Sequence, residues 1–212
     1  MSLQYMRIWG IDYGSKLAGT TVVATLSQDA SPEAKVVAAK PQAATLHTSQ
    51  RKKDADRMIL KLAEQERPDL IFIDAPLSLP GAYFGTDDDF FYRPVDREVG
   101  AMSPMFLGGL TARAMQVKVN LERLLPEIQI YESYPKLRAK DLGFTDRGYK
   151  KEVKHIEVLF AELKDYHHEL KFVTQVGTWH HLDALLALSS ALRFTAGEHD
   201  VYGPEGGACI YV

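Results

Sequence analysis

Runs of β-branched and other apolar residues near the start of the chain predict three consecutive strands. These runs cover residues 6–13, 18–26 and 34–40, and glycine, serine, aspartate and proline residues separate them. Because consecutive strands joined by short turns pair in opposite directions, we expect an antiparallel meander.

The spacing of apolar residues then changes and predicts alternating helices and strands. Over residues 48–65 apolar positions recur at helical spacing, and Pro68 prevents the helix from continuing. Residues 69–75 are continuously apolar up to a charge near their end, which is typical of a central strand buried on both faces. The later elements are a helix over 104–125, a strand over 128–134, a helix over 150–168 and a last helix over about 178–194.

This order of elements predicts an α/β domain with a mixed five-stranded sheet flanked by helices in three layers. No internal repeat or linker divides the sequence, so we expect one domain over residues 1–212. Residues 81–102 carry aromatic and charged side chains without a clear period, which predicts a long loop or lid inserted in that domain.

Composition narrows the class of protein. With 212 residues, 46% of them hydrophobic and 25% charged, the chain has the composition of a globular protein with a sizeable core. No apolar run approaches the roughly 18 residues of a membrane span, and the first residues lack the features of a signal peptide. The one cysteine, Cys209, has no partner for a disulfide or a thiolate metal site. We therefore expect a cytoplasmic protein.

Charge gives no general attraction to a polyanion. The formal net charge is −3, so binding of nucleic acid would need a local basic patch and metal ions.

Three of the predicted strands each contain one carboxylate in an otherwise apolar run. Asp12 ends the first strand, Asp74 ends the fourth and Glu132 lies in the fifth. A buried carboxylate carries a desolvation cost unless it faces solvent, a partner or a metal ion. Adjacent parallel strands end at one edge of a sheet, where open α/β sheets place their sites, so these side chains could meet there. Asp183 lies near the start of the last helix, with His180 three residues earlier on the same helical face.

Several carboxylates at one edge would require a cation or raised pKa values. Two unit charges 4 Å apart repel by about 4 kcal/mol at an effective dielectric constant near 20. Oxygen ligands without cysteine suit Mg²⁺ or Mn²⁺. Two such ions about 4 Å apart would clamp the attacking and leaving oxygens of a phosphodiester, so the arrangement favours phosphodiester hydrolysis.

Each of these residues also has an ordinary structural explanation. Asp12 and Asp74 could be turn or cap residues, Glu132 could pair with a nearby basic residue, and Asp183 could satisfy backbone N–H groups at a helix start. His180 is equally well explained as a ligand and as a partly buried imidazole. The joint placement of the three aspartates favours the functional interpretation.

Three basic residues are candidates for contact with substrate phosphates. Arg93 and Arg97 lie in the predicted lid and Lys150 begins the predicted third helix. Solvation at the surface is the alternative for each of them. The aromatic residues of the lid could stack on exposed bases or could fix the lid to the core.

Six motifs spread over nearly the whole chain resemble those of an uncharacterised family of predicted ribonuclease H-like nucleases. They are G-I-D-Y-G with Gly19 after it, I-D-A-P-L-S-L-P, Y-E-S-Y-P, G-Y-K, H-L-D-A-L-L-A-L and P-E-G-G. That family is grouped with RuvC-like Holliday junction resolvases and their YqgF relatives.

The resemblance implies a ribonuclease H-like fold with acids on the first strand, the fourth strand and the last helix. Asp12, Asp74 and Asp183 occupy those places, and His180 stands where resolvases carry a second metal-site residue. Glu132 lies in the family's Y-E-x-Y-P motif, where resolvases have no agreed acid, so its role stays open.

The expected function is therefore divalent-metal-dependent hydrolysis of nucleic acid with Mg²⁺ or Mn²⁺. Resolvase-like cleavage of two strands would require a homodimer. Two alternatives remain: an ATP-binding module of the actin, chaperone and sugar-kinase type, and a non-catalytic module of the same fold that binds nucleic acid or protein. The ATP-binding class uses two such domains around the nucleotide, and this chain shows no second D-x-G hairpin.

Overall fold

A computed structural model describes residues 5–29 and 43–212 of the chain, and the strands within these residues form one mixed sheet. The strands are β1 (Tyr5–Asp12), β2 (Val22–Asp29), β3 (Thr45–Thr48), β4 (Leu70–Asp74), β5 (Gln129–Ser133), β6 (Val201–Tyr202) and β7 (Ile210–Tyr211). Their order in the sheet is β3-β2-β1-β4-β5-β7-β6. β1 pairs antiparallel with β2 and parallel with β4, and β4, β5 and β7 run parallel.

The mixed α/β fold is confirmed, but the predicted count of five strands is wrong, because the described residues alone form a sheet of seven. β6 and β7 have two residues each, too few for a periodic pattern. The predicted strand at 34–40 lies outside the described residues. On the side away from β1, β2 pairs antiparallel with β3, whose four residues precede the first helix.

The helices within the described residues cover both faces of the sheet. They are α1 (Ala55–Glu66), α2 (Pro94–Val99), α3 (Pro104–Leu107), α4 (Gly109–Leu124), α5 (Pro135–Asp141), α6 (His155–Tyr166) and α7 (Trp179–Ala196). In this part of the chain no helix combines the length and the apolarity needed to cross a membrane.

Local backbone chemistry explains where the predicted helix boundaries were wrong. α1 begins at Ala55 rather than 48, because the Asp54 side chain accepts hydrogen bonds from the first free N–H groups. The predicted helix 104–125 is divided into α3 and α4 at Gly108, whose φ of 48° lies outside the right-handed helical region. The segment 81–102 includes a 3₁₀ turn at Gly81–Phe84 and the short helix α2.

Side chains along the central strands point alternately to the two faces of the sheet, so the core consists of two hydrophobic clusters, one on each face. Ile8 on β1 and Phe72 on β4 face α6 and α7, whereas Ile11 and Ile73 face α1 and α4. α7 lies between the sheet and its neighbouring helices, and residues 182–192 are all buried. Its polar side chains near the N-terminus are therefore placed over the ends of β1 and β4.

Candidate active site

Asp12 and Asp74 lie side by side at the carboxyl ends of β1 and β4. The two strands are parallel, and these residues are direct register partners, so both side chains point to the face that α7 covers. Asp12 is buried and Asp74 is partly exposed at the edge of the sheet. The prediction that strand ends bring these two aspartates together is confirmed by this register.

A close contact between β1 and α7 brings the third aspartate, Asp183, near the end of β1. Gly10 precedes Asp12 on the same face of β1, and a Cβ there would overlap the backbone nitrogen of Leu188 and the carbonyl oxygen of Ala184. The helix backbone therefore lies directly on the strand. This contact carries Asp183, the residue before Ala184, to the end of β1.

Asp183 is held by two neighbours of the turn that precedes α6. Its side chain is 1% exposed, Tyr149 Oη donates a hydrogen bond to Oδ1 at 2.6 Å, and Lys150 Nζ lies 2.7 Å from Oδ2. Lys150 has a φ of 58°, a left-handed conformation that is uncommon for a residue with a side chain. Burial raises the pKa of Asp183, although the Lys150 charge and the hydrogen bond from Tyr149 oppose that rise.

His180, one helical turn before Ala184, reaches Asp12. Its Nδ1 lies 2.7 Å from Asp12 Oδ2, and about half of the imidazole is exposed. The hydrogen bond to Asp12 raises the pKa of His180, against the opposing effect of burial. The adjacent His181 points away and contacts Thr48 and the backbone N–H of Gly177.

Asp74 differs from the other two aspartates because no described residue donates a hydrogen bond to its carboxylate or forms an ion pair with it. Burial, followed by the charges of Asp12 and Asp183, raises the pKa of Asp74 well above its ordinary value. Lys150 opposes this rise. We call Asp12, Asp74 and Asp183 the acid cluster. Its unpartnered carboxylate between two charged neighbours is a place where a cation would stabilise the fold.

The donor set of the acid cluster suits a hard divalent cation, since it consists of carboxylate oxygens with one imidazole beside them. In the arrangement seen here, however, no three His, Cys, Asp or Glu side chains of the described residues converge closely enough to hold an ion. Asp183 is turned toward Lys150 and Tyr149, and Asp12 toward His180. Binding of a cation would therefore require at least one of these ion pairs to open.

Glu132 does not join the acid cluster. It pairs in register with Ile73, so its side chain projects from the face of the sheet opposite to the one that carries Asp74. There it accepts hydrogen bonds from Arg93 at 2.6 and 2.7 Å and from the backbone N–H of Leu77 at 3.0 Å. Burial raises the pKa of Glu132, and Arg93 opposes the rise.

Arg93 is buried rather than solvated, and it has no donor left for a phosphate. A guanidinium has five N–H donors. All five are used, by Asp96, Glu132 and the Ser78 hydroxyl, and the side chain is 2% exposed. The expected phosphate contact of Arg93 is therefore wrong, and the residue instead joins α2 to β5.

The other two basic candidates remain accessible. Arg97 is exposed, stacks on the Tyr92 ring at 3.6 Å and pairs with Asp89 at 2.9 Å. Lys150 is half exposed beside Asp183. Both have donors that face solvent.

Two residues of this region escaped the sequence analysis. Tyr149 donates to Asp183, and the signal was its place beside Lys150 in G-Y-K. Ser133 follows Glu132 in Y-E-S-Y-P and is the last residue of β5. It is 2% exposed, and its hydroxyl has no hydrogen-bond partner among the described residues. No sequence pattern distinguishes such a serine from an ordinary strand residue.

A cavity of about 430 Å³ opens beside the acid cluster, and we call it the Ser133 cavity. Asp74 and Lys150 line it on the side of the acid cluster, and the Arg93–Glu132 pair lies at its opposite side. The remaining lining residues come from the loops that follow β1, β4 and α2, from the end of β5 and the residue after it, and from α2, α3, α4, α5 and β7: Tyr13, Ala75, Pro76, Asp96, Ala101, Met102, Leu107, Leu110, Ser133, Tyr134, Lys136 and Ile210.

Comparisons with known proteins do not assign a function to the chain. No family model and no curated protein matches the chain significantly. Among solved structures, the chain is similar to T. thermophilus RuvC in complex with Holliday junction substrate, at 15% identity and a TM-score of 0.45. The alignment covers 94% of this chain and 99% of the RuvC chain. Residue roles do not transfer at this level of similarity, so the function is argued from the geometry of this chain.

Proposed function

We propose that this protein is a ribonuclease H-like nuclease that hydrolyses phosphodiester bonds with Mg²⁺ or Mn²⁺ held by Asp12, Asp74 and Asp183. The observation that supports it best is the acid cluster itself, in which Asp74 has no partner among the described residues although two like charges adjoin it. Lys150 pairs with Asp183, but the adjacent carboxylates of Asp12 and Asp74 would repel each other unless a further cation neutralised them.

Divalent ions bound there would stabilise the charge that develops on phosphate oxygens and would lower the pKa of a water nucleophile. The protein's own residues then have separate tasks. Asp12 and Asp74 present carboxylates from a rigid pair of strands, and Asp183 closes the cluster from α7. His180 can accept or release a proton at its Nε2 while Nδ1 remains bonded to Asp12.

Lys150 and Arg97 are the proposed phosphate contacts. Lys150 adjoins the acid cluster and Arg97 lies in α2, and both cations are accessible. They supply the local positive charge that a chain with a net charge of −3 needs in order to approach a polyanion. Arg93 and Glu132 are not proposed as contacts, because they satisfy each other.

The test is a Mn²⁺-dependent cleavage assay on labelled junction, RNA–DNA hybrid, duplex and single-stranded substrates. We expect Asp12→Asn to lower cleavage by at least about 10²-fold, because one carboxylate of the cluster loses its charge. Circular dichroism should show an unchanged fold. Asp69→Asn, an aspartate near the opposite end of β4, is the matched control and should retain activity. Cleavage that survives Asp12→Asn would refute the proposal.

A non-catalytic module of the same fold is the second candidate, and one observation favours it. Lys150 already pairs with Asp183, and His180 already hydrogen-bonds Asp12, without a metal ion. Isothermal titration with Mn²⁺ separates the two candidates, since a nuclease should bind the ion at millimolar concentration or below and this module should not.

A further inference from the structure

The Ser133 cavity has the size and the position of a ligand site. Its volume of about 430 Å³ falls within the range of roughly 300–1,000 Å³ typical of small-molecule sites. It shares Asp74 and Lys150 with the acid cluster, so a ligand in the cavity would lie directly beside the proposed site of cleavage.

The charges around the cavity favour a neutral ligand. Three acidic and three basic side chains line it, namely Asp74, Asp96, Glu132, Arg93, Lys136 and Lys150. Arg93, Asp96 and Glu132 satisfy one another, and Lys150 is paired with Asp183. Asp74 and Lys136 have no ion-pair partner among the described residues, and their opposite charges balance, so a phosphate group near Lys136 would also meet the carboxylate of Asp74.

The walls favour a flat ring with polar edges. Tyr13 and Tyr134 contribute aromatic rings, and Leu107 and Leu110 contribute aliphatic surface. Tyr134 is the partly exposed ring, and its hydroxyl donates to the Gly100 carbonyl at 3.5 Å, whereas Tyr13 is a core residue that is 3% exposed. A rigid aromatic side chain is suited to stacking on a nucleobase, whichever base it is.

Ser133 supplies an unused polar group at this place. Its hydroxyl is buried, and no described residue hydrogen-bonds it. A buried hydroxyl without a partner costs free energy, so a ligand whose binding displaces the wall far enough to reach Oγ would gain the bond.

We propose that the Ser133 cavity binds the base of an unpaired nucleotide adjacent to the phosphodiester at the acid cluster. The proposal rests on the proposed function, which brings a nucleic-acid strand to Asp12, Asp74 and Asp183. It narrows the substrate class to strands in which a nucleotide next to the scissile bond is single-stranded, mismatched or turned out of the helix.

The test measures binding of free adenosine, guanosine, cytidine and uridine to the full-length protein by saturation-transfer NMR. At least one nucleoside should bind saturably with a Kd on the order of 1 mM, as expected for a single stacked base. Ribose 5-phosphate, which has no base, should not compete.

Two variants locate the binding. Ala101→Trp fills the cavity from a loop and should abolish binding, whereas Ala161→Trp on the exposed side of α6 should not change it. Ser133→Ala should weaken binding about three- to tenfold through the lost hydrogen bond. Ser190→Ala, whose hydroxyl bonds to Leu186 inside α7, should leave the affinity unchanged.

Failure of this inference is distinguishable from failure of the proposed function. Asp12 does not line the cavity, so Asp12→Asn should still bind nucleosides after cleavage is lost. Metal-dependent cleavage without saturable nucleoside binding would overturn the cavity assignment alone. Binding that Ala101→Trp leaves unchanged would also overturn it, because the nucleoside would then lie elsewhere.

Discussion

The three aspartates of the acid cluster are chemically identical, and their neighbours give them different states. The imidazole of His180 contacts Asp12, and the ammonium of Lys150 and the phenol of Tyr149 contact Asp183. Asp74 has no such hydrogen-bond or ion-pair partner among the described residues. Asp74 is therefore the residue that a bound cation would stabilise most. Lys150 limits that binding, because its charge already compensates part of the cluster.

At the same scale we predict that Lys150→Met tightens the binding of Mn²⁺. Removal of the competing ammonium leaves Asp183 without its ion pair, and about 1.4 kcal/mol of that interaction would appear as a tenfold lower Kd. Isothermal titration with Mn²⁺ measures it. The matched control is Lys151→Met, an exposed neighbour, which should leave the Kd unchanged. An unchanged or higher Kd for Lys150→Met would contradict the competition between Lys150 and the ion.

At the scale of elements, the contact of α7 with β1 connects packing with the site. Gly10 lets the backbone of α7 rest on the strand at Ala184 and Leu188. Asp183 and His180 then reach the end of β1 from the same helix. The position of two site residues thus depends on one residue that has no functional group.

We predict that Gly10→Ala lowers both stability and cleavage. The added Cβ would meet backbone atoms, which cannot turn aside as a side chain can, so α7 must shift. Overpacking of this kind costs about 1–3 kcal/mol, and urea denaturation would measure it.

Gly109→Ala, at the start of α4 with open space around its Cβ position, is the control and should cost little. Full activity of a stably folded Gly10→Ala protein would show that the acid cluster tolerates a displacement of α7.

At the scale of the whole molecule, the sheet separates Glu132 from the aspartates of the acid cluster, although the strand ends predicted that they would meet. The acid cluster lies on the α7 face, and the Arg93–Glu132–Asp96 group lies on the other side, where α2 joins β5. The Ser133 cavity lies between them, with Asp74 of the acid cluster and the Arg93–Glu132 pair both in its lining. The segment 81–102 is therefore fixed to the sheet at Arg93.

We predict that Arg93→Met destabilises the protein by about 3–5 kcal/mol, because two buried carboxylates lose their shared partner. Arg97→Met removes the same charge four residues later from an exposed pair and should cost less than about 1 kcal/mol. Urea denaturation at several pH values measures both.

The deficit of Arg93→Met should grow as pH rises. Burial already raises the folded-state pKa of Glu132 above its unfolded value, and loss of Arg93 raises it further. A group with a raised folded-state pKa contributes stability at low pH and loses it as pH rises through that pKa. A deficit that does not depend on pH would argue against an unpaired carboxylate as its cause.

The sequence by itself determined the order of the main elements and the strand ends that carry Asp12 and Asp74. Both follow from local physics, since apolar runs predict buried strands and a carboxylate at the end of such a run must face a polar edge. The last helix was likewise predictable, because its apolar positions extend over residues 182–192 and Thr178 caps it. Those features depend on residues close together in the chain.

Only the tertiary structure decided which charged groups meet. Glu132 and Arg93 are 39 positions apart in the chain. They pair on the face opposite Asp74 because successive side chains of a strand point to opposite faces, and the register places Glu132 beside Ile73. The pairs Lys150–Asp183 and His180–Asp12 likewise depend on how closely α7 lies on Gly10. Sequence can indicate where a carboxylate ends a strand, but the partner that neutralises it is determined by contacts between distant segments.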